Sequence, residues 1–147
     1  MITPAPTTRI DPSLARGTLT EVVAPTATKA GYIKITFPNT SYDLHLIPLS
    51  PPRTEVNKKI HGLIRAKARR IDTVQTGGRY VEPVFGRPRR VQGTVLSVSG
   101  DSILVNAGVP IHLTPTDARQ KAADFQPGQF ISCDVMDGAT FEEKSAG

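Results

Sequence analysis

The chain has 147 residues, 38% of them hydrophobic, a formal charge of +5 and a single cysteine. That excludes an intramolecular disulfide framework and allows one domain or two very small ones. No apolar run approaches the ~18 residues of a membrane span, so none is expected.

Residues 1–15 are rich in Thr, Pro and Ala and read as a disordered tail without the apolar stretch of a secretory signal. A first unit is expected over 16–86. Thr18 to Val23 reads as a strand, and Tyr32-Ile33-Lys34-Ile35-Thr36-Phe37 alternates as a second. Tyr42-Asp43-Leu44-His45-Leu46 alternates as a third. Ser50-Pro51-Pro52 predicts a short helix over 51–58. Gly62 leads into a long strand, Leu63 to Val74. A turn at Thr76-Gly77-Gly78 then returns Arg79 to Phe85 against it as a fifth strand.

Residues 87–90 form a basic junction, and a second unit is expected over 91–143, followed by a tail at 144–147. Val91–Val98, Ile103–Val105 and Val109–Leu113 read as its first three strands. Thr114-Pro115-Thr116-Asp117 predicts a helix over 115–124, with a Thr cap and Pro at the first helical position. Phe130–Met136 and Ala139–Glu143 complete the unit.

The two units share landmarks in order. Arg16-Gly17-Thr18-Leu19 and His45-Leu46-Ile47-Pro48 correspond to Gln92-Gly93-Thr94-Val95 and His112-Leu113-Thr114-Pro115. Gly62 is matched with Gly128, and Val81-Glu82 with Phe141-Glu142. The pattern predicts a tandem repeat. The order β-β-β-α-β-β in each unit resembles the OB fold, which implies two small OB-like β-barrels in tandem within a mostly β chain. A single pseudo-twofold barrel and a pair of SH3-like barrels are the alternatives.

Charge separates the units. Residues 58–90 hold ten basic side chains against two acids, whereas residues 91–147 hold three against seven. Opposite charges allow the units to attract one another, within a chain or between chains. In Ile64-Arg65-Ala66-Lys67-Ala68-Arg69 every second residue is basic, so on a strand Arg65, Lys67 and Arg69 share one face. Their spacing of about 7 Å, from a rise of ~3.3 Å per residue, approaches that of phosphates on an extended strand. Arg70 breaks the alternation and predicts a bulge. Arg79, Arg87, Arg89 and Arg90 extend the basic set. Tyr80 and Phe85 lie between as candidate stacking rings, although their parity sets them on opposite faces. Trp is absent and aromatics are 5%, which weighs against a strong stacking platform.

No nucleophile–base set, Walker loop or zinc spacing occurs, so no enzyme activity, metal or cofactor is expected. Cys133 reads as a buried core residue, and His45 and His112 as structural groups at strand ends. The expected function is sequence-independent binding of nucleic acid or another polyanion through Arg65, Lys67, Arg69, Arg70, Arg79, Tyr80, Arg87, Arg89 and Arg90. The alternative is a structural or adaptor protein that binds another protein or self-associates through its barrels; an acidic protein is a further candidate partner. A lone cysteine fits a reducing, cytoplasmic compartment.

Overall fold

The structure, a computed structural model, describes residues 11–75 and 77–144. Among the described residues, eleven strands join in one mixed sheet: β1 (Ala15–Val23), β2 (Tyr32–Thr36), β3 (Asp43–Pro48), β4 (Lys59–Thr73), β5 (Tyr80–Glu82), β6 (Phe85–Gly86), β7 (Arg90–Ser99), β8 (Ser102–Asn106), β9 (Pro110–Pro115), β10 (Phe130–Val135) and β11 (Thr140–Glu143). The chain is mostly β, as its short alternating runs predict. Strand β1 already begins at Ala15, which is fully buried, so ordered structure reaches into the expected tail; residues 1–10 and 145–147 lie outside the described residues.

Neither predicted α-helix forms. Over 51–58, the Arg53 N–H and Thr54 hydroxyl donate to the Glu143 carboxylate at 2.7 and 2.5 Å, and Asn57 adopts a left-handed φ of 73°. These contacts hold the segment against β11 instead of in a helical ladder. Beyond β9, the Thr116 N–H and hydroxyl both donate to the Ala68 carbonyl, at 2.9 and 2.7 Å. The Gln120 amide donates to the Ile71 carbonyl at 2.6 Å and accepts from its N–H at 2.8 Å. Polar groups expected within the helix satisfy β4's backbone instead. Among the described residues, only the 3-10 turn Ala122–Asp124 is helical.

The fifth strand also differs from expectation. β5 pairs with β7, not with β4. The place between β3 and β4 belongs to β11, parallel to β3 and antiparallel to β4. Pairing therefore runs β1–β2–β3–β11–β4 and returns from β4 to β1. A second path runs β7–β8–β9–β4–β10 and returns to β7, with β9 parallel to β4. β4 belongs to both: residues 59–65 serve the first path and residues 65–73 the second.

The paths share local detail. Gly17 and Gly93 lie where an added Cβ would strike a carbonyl, of Thr36 at the end of β2 and of Asn106 at the end of β8. A bulge follows each glycine, at Leu19/Glu21 and at Val95/Ser97. Register alters the later matches, however. Ala15 pairs with Gly62 as Val91 pairs with Cys133, so Gly62 corresponds to Cys133 and not to Gly128. Phe141 beside Pro48 corresponds to Ala68 beside Pro115, not to Val81.

One hydrophobic cluster runs through both paths. Tyr42, 8% exposed, fastens them: its hydroxyl donates to the Ala107 carbonyl at 2.8 Å and accepts from the Val81 N–H at 2.9 Å. Gly17→Ala and Gly93→Ala should each destabilise the fold by about 1–3 kcal/mol, the usual cost of overpacking. Gly78→Ala, with open space at its Cβ, should change stability by less than about 0.5 kcal/mol. Urea unfolding of the three variants checks this, and equal midpoints would contradict the close approach.

Candidate nucleic-acid interface

The alternation along β4 is realised in its burial. Ile64, Ala66 and Ala68 are buried, while Arg65, Lys67 and Arg69 are exposed. The same outward parity continues back through Leu63 and His61 to exposed Lys59. Val135 pairs with Ala68 and Cys133 with Ile71, so two steps on β10 oppose three on β4. This is the bulge predicted at Arg70, and it leaves Arg69 and Arg70 both exposed.

Several basic groups already have acidic partners. Arg65 bonds Glu142, which Lys144 also reaches at 2.8 Å; Lys144 and Arg65 together hold that carboxyl down at about 2. Arg70 bonds Asp72 at 3.1 Å, and Arg87 bonds Asp137 at 2.9 Å. Arg90 donates to the Tyr80 hydroxyl at 3.3 Å, to Asp134 at 2.7 Å and to the Ser132 hydroxyl at 2.7 Å. The Tyr80 hydroxyl in turn donates to Gln92 at 3.1 Å. Arg90 and Tyr80 thus tie β5, β7 and β10 together. Lys67, Arg69, Arg79 and Arg89 form no ion pair with the described residues.

Aromatic rings gather elsewhere, on the outer faces of β2, β3 and β6. Tyr32 stacks on His45 with centroids 5.1 Å apart and planes at 19°. Phe85 meets His45 edge-on at 4.9 Å, and Lys34 Nζ lies 5.9 Å from the Phe85 centroid. Phe85 is 60% exposed, so one ring face is open to solvent. The outward parity of Tyr32, Lys34 and His45 is readable from alternation in the sequence. Their meeting is not: it needs the register that sets Lys34 opposite His45, and the parallel pairing that sets Asp43 beside Phe85.

Two grooves meet at Asp137. One, about 410 Å³, is lined by Arg65, Lys67, Thr114, Met136, Asp137 and Thr140. The other, about 400 Å³, is lined by Lys29, Tyr32, His45, Ile47, Arg87 and Asp137. Arg87, bonded to Asp137, therefore reaches the same loop that Arg65 and Lys67 face across their groove. Arg69, Arg79, Arg89 and Arg90 line neither groove.

His45 Nε2 lies 4.0 Å from Asp43 Oδ1, and both atoms are buried without a hydrogen bond. Burial, reinforced by the Lys34 ammonium, lowers the His45 pKa and favours the neutral imidazole. His112 Nε2 contacts the Ser13 carbonyl at 3.0 Å; a carbonyl only accepts, so this nitrogen carries the proton. Cys133 is 2% exposed, and burial pushes its thiol up to about 12. Among the described residues, no three His, Cys, Asp or Glu gather as metal ligands, and no helix is long and apolar enough to cross a membrane. No protein-family model, curated protein or solved structure matches the chain.

The His45 shift has a signed consequence. The unfolded chain takes up the proton at a higher pH than the fold does, so stability from neutral His45 is whole above the ordinary value of 6.5. It is lost as pH falls through the lower folded value. Between about pH 7 and pH 5 the urea midpoint should fall, and less steeply in His45→Asn. Parallel declines in the two proteins would contradict it.

Proposed function

We propose that the protein is a non-enzymatic module that binds single-stranded nucleic acid without sequence preference. Phosphates follow the Arg65–Lys67–Arg69 row, and bases stack at Tyr32 and Phe85, with His45 packed between the two rings. The observation that carries this reading is the meeting of a basic and an aromatic groove at Asp137. Charged rows give salt-dependent, sequence-independent affinity, and open ring faces accept any base.

The same proposal extends to the fold. Each pairing path is read as an OB-like barrel, with the fifth strands exchanged: β11 serves the first and the second half of β4 serves the second. Matched glycines, matched bulges and two parallel pairings, β3–β11 and β9–β4, support this reading. OB folds commonly bind oligonucleotides on the face of their second and third strands. In the first path that face is β2–β3, where the aromatic cluster lies.

Fluorescence anisotropy with labelled DNA and RNA oligonucleotides tests the reading. Affinity should fall steeply with salt and vary little with sequence. Joint replacement Arg65→Glu, Lys67→Glu and Arg69→Glu should lower the slope of log affinity against log salt by about 2, from ~0.7 per phosphate on a single strand. Tyr32→Ala with Phe85→Ala should weaken binding by about 1–3 kcal/mol for each base stack lost. Absence of salt-sensitive binding to any oligonucleotide would overturn the proposal.

A second reading, a protein-binding or self-associating module, draws on Val84 and Phe85, which are 49% and 60% exposed side by side. Concentration-dependent sedimentation without oligonucleotide binding would favour it.

A further inference from the structure

A third cleft, about 440 Å³, lies at the other end of β4 and is lined by Arg16, Thr18, Thr36, Phe37, Lys59 and His61. Register builds it: Arg16 pairs with His61, and Thr18 pairs with both Lys59 and Thr36. Three basic side chains and two hydroxyls thus line the cleft, and no carboxylate among the described residues does. Asp11, whose charge acts on Arg16, is turned instead into the Ser13 N–H and hydroxyl at 2.9 and 2.7 Å. Residues 1–10 contain no acid.

The corresponding place in the second path is closed. Gln92 precedes Gly93 as Arg16 precedes Gly17, and it pairs with Ser132 as Arg16 pairs with His61. There the chain itself covers the site. Gln92 donates to the Gly78 carbonyl at 2.9 Å and accepts from the Tyr80 hydroxyl, leaving it 7% exposed. No described segment does this for Arg16, whose buried Nε has no hydrogen-bond partner. A buried donor without an acceptor is costly, and a guanidinium lacks any acceptor capacity of its own.

We propose that this cleft binds a phosphate monoester, with Arg16 as the anchoring donor, Lys59 and His61 flanking it, and the Thr18 and Thr36 hydroxyls completing the oxygen contacts. A monoester carries nearly two negative charges and three acceptor oxygens, which suits several donors better than a diester does. The volume exceeds that of inorganic phosphate and falls among small-molecule sites of roughly 300–1,000 Å³. The phosphate comes either from a free nucleotide or from the end of a nucleic-acid strand.

The test uses the full chain and amide chemical shifts at Gly17, Thr18 and Thr36. Inorganic phosphate and adenosine 5′-monophosphate should produce saturable shifts, and Arg16→Gln, which installs the side chain found at position 92, should weaken both by about tenfold or more. Thermal unfolding of Arg16→Gln confirms that the variant is folded. Tighter binding of a 5′-phosphorylated oligonucleotide than of its unphosphorylated twin, abolished by Arg16→Gln, assigns the strand end; equal oligonucleotide affinities with intact nucleotide binding assign the free nucleotide. No saturable shift with any phosphorylated probe, or binding indifferent to Arg16→Gln, overturns the site. Loss of unphosphorylated-oligonucleotide binding alone bears on the Arg65–Arg69 row and leaves this cleft standing.

Discussion

The pairing of β4 is the constraint on which the rest of the structure depends. Fifteen residues give it a length of about 50 Å at ~3.3 Å each, more than one small set of strands can use. Its backbone is therefore shared along one edge by β1 and then β9, and along the other by β11 and then β10. Where β9 ends, Thr116 and Gln120 continue the hydrogen bonding to Ala68 and Ile71. An edge left bare there would present unpaired N–H and C=O groups. The inward residues follow from the same crowding: a Cβ on Gly62 would meet the Phe141 ring and the Glu142 carbonyl of β11.

Outward, the same strand sets the electrostatics. The basic stretch and the acidic C-terminal stretch are apart in sequence but adjacent in space, because β10 and β11 flank β4. Arg65, Arg87 and Arg90 meet Glu142, Asp137 and Asp134 in turn. All six side chains are at least a third exposed, so each pair contributes only about 0–1 kcal/mol. Their larger effect is on what remains. Lys67 and Arg69 keep their charge without an acidic partner among the described residues, and Lys67 lines a groove that shares Asp137 with the one lined by Tyr32 and His45.

Alternation made β2, β3 and β4 legible, because period-two burial is written directly into residue order. It also made the outward row on β4 and the bulge at Arg70 legible. Helices over 51–58 and 115–124 do not form, because Ser-Pro and Thr-Pro starts look alike in sequence whether a helix follows or the segment docks on a neighbouring strand. Thr116 and Gln120 find their partners on β4, about fifty residues away in the chain. Thr76, in the expected turn, lies outside the described residues, and the return of residues 79–85 onto β4 fails for a related reason. Turn chemistry allows Arg79–Phe85 to fold back on β4, but β11 and β10 occupy that edge.

Local order in the chain determined that this protein is mostly β, where its strands alternate, and which face of β4 is basic. These depend on neighbours one or two residues apart. Tertiary structure alone decided that β11 enters among the early strands, that β4 serves two pairing paths, and that Tyr32, His45 and Phe85 come together. It also decided that Arg16 stays uncovered where Gln92 is capped. Each of these depends on register between distant segments, and register is chosen by the collective burial of one hydrophobic cluster.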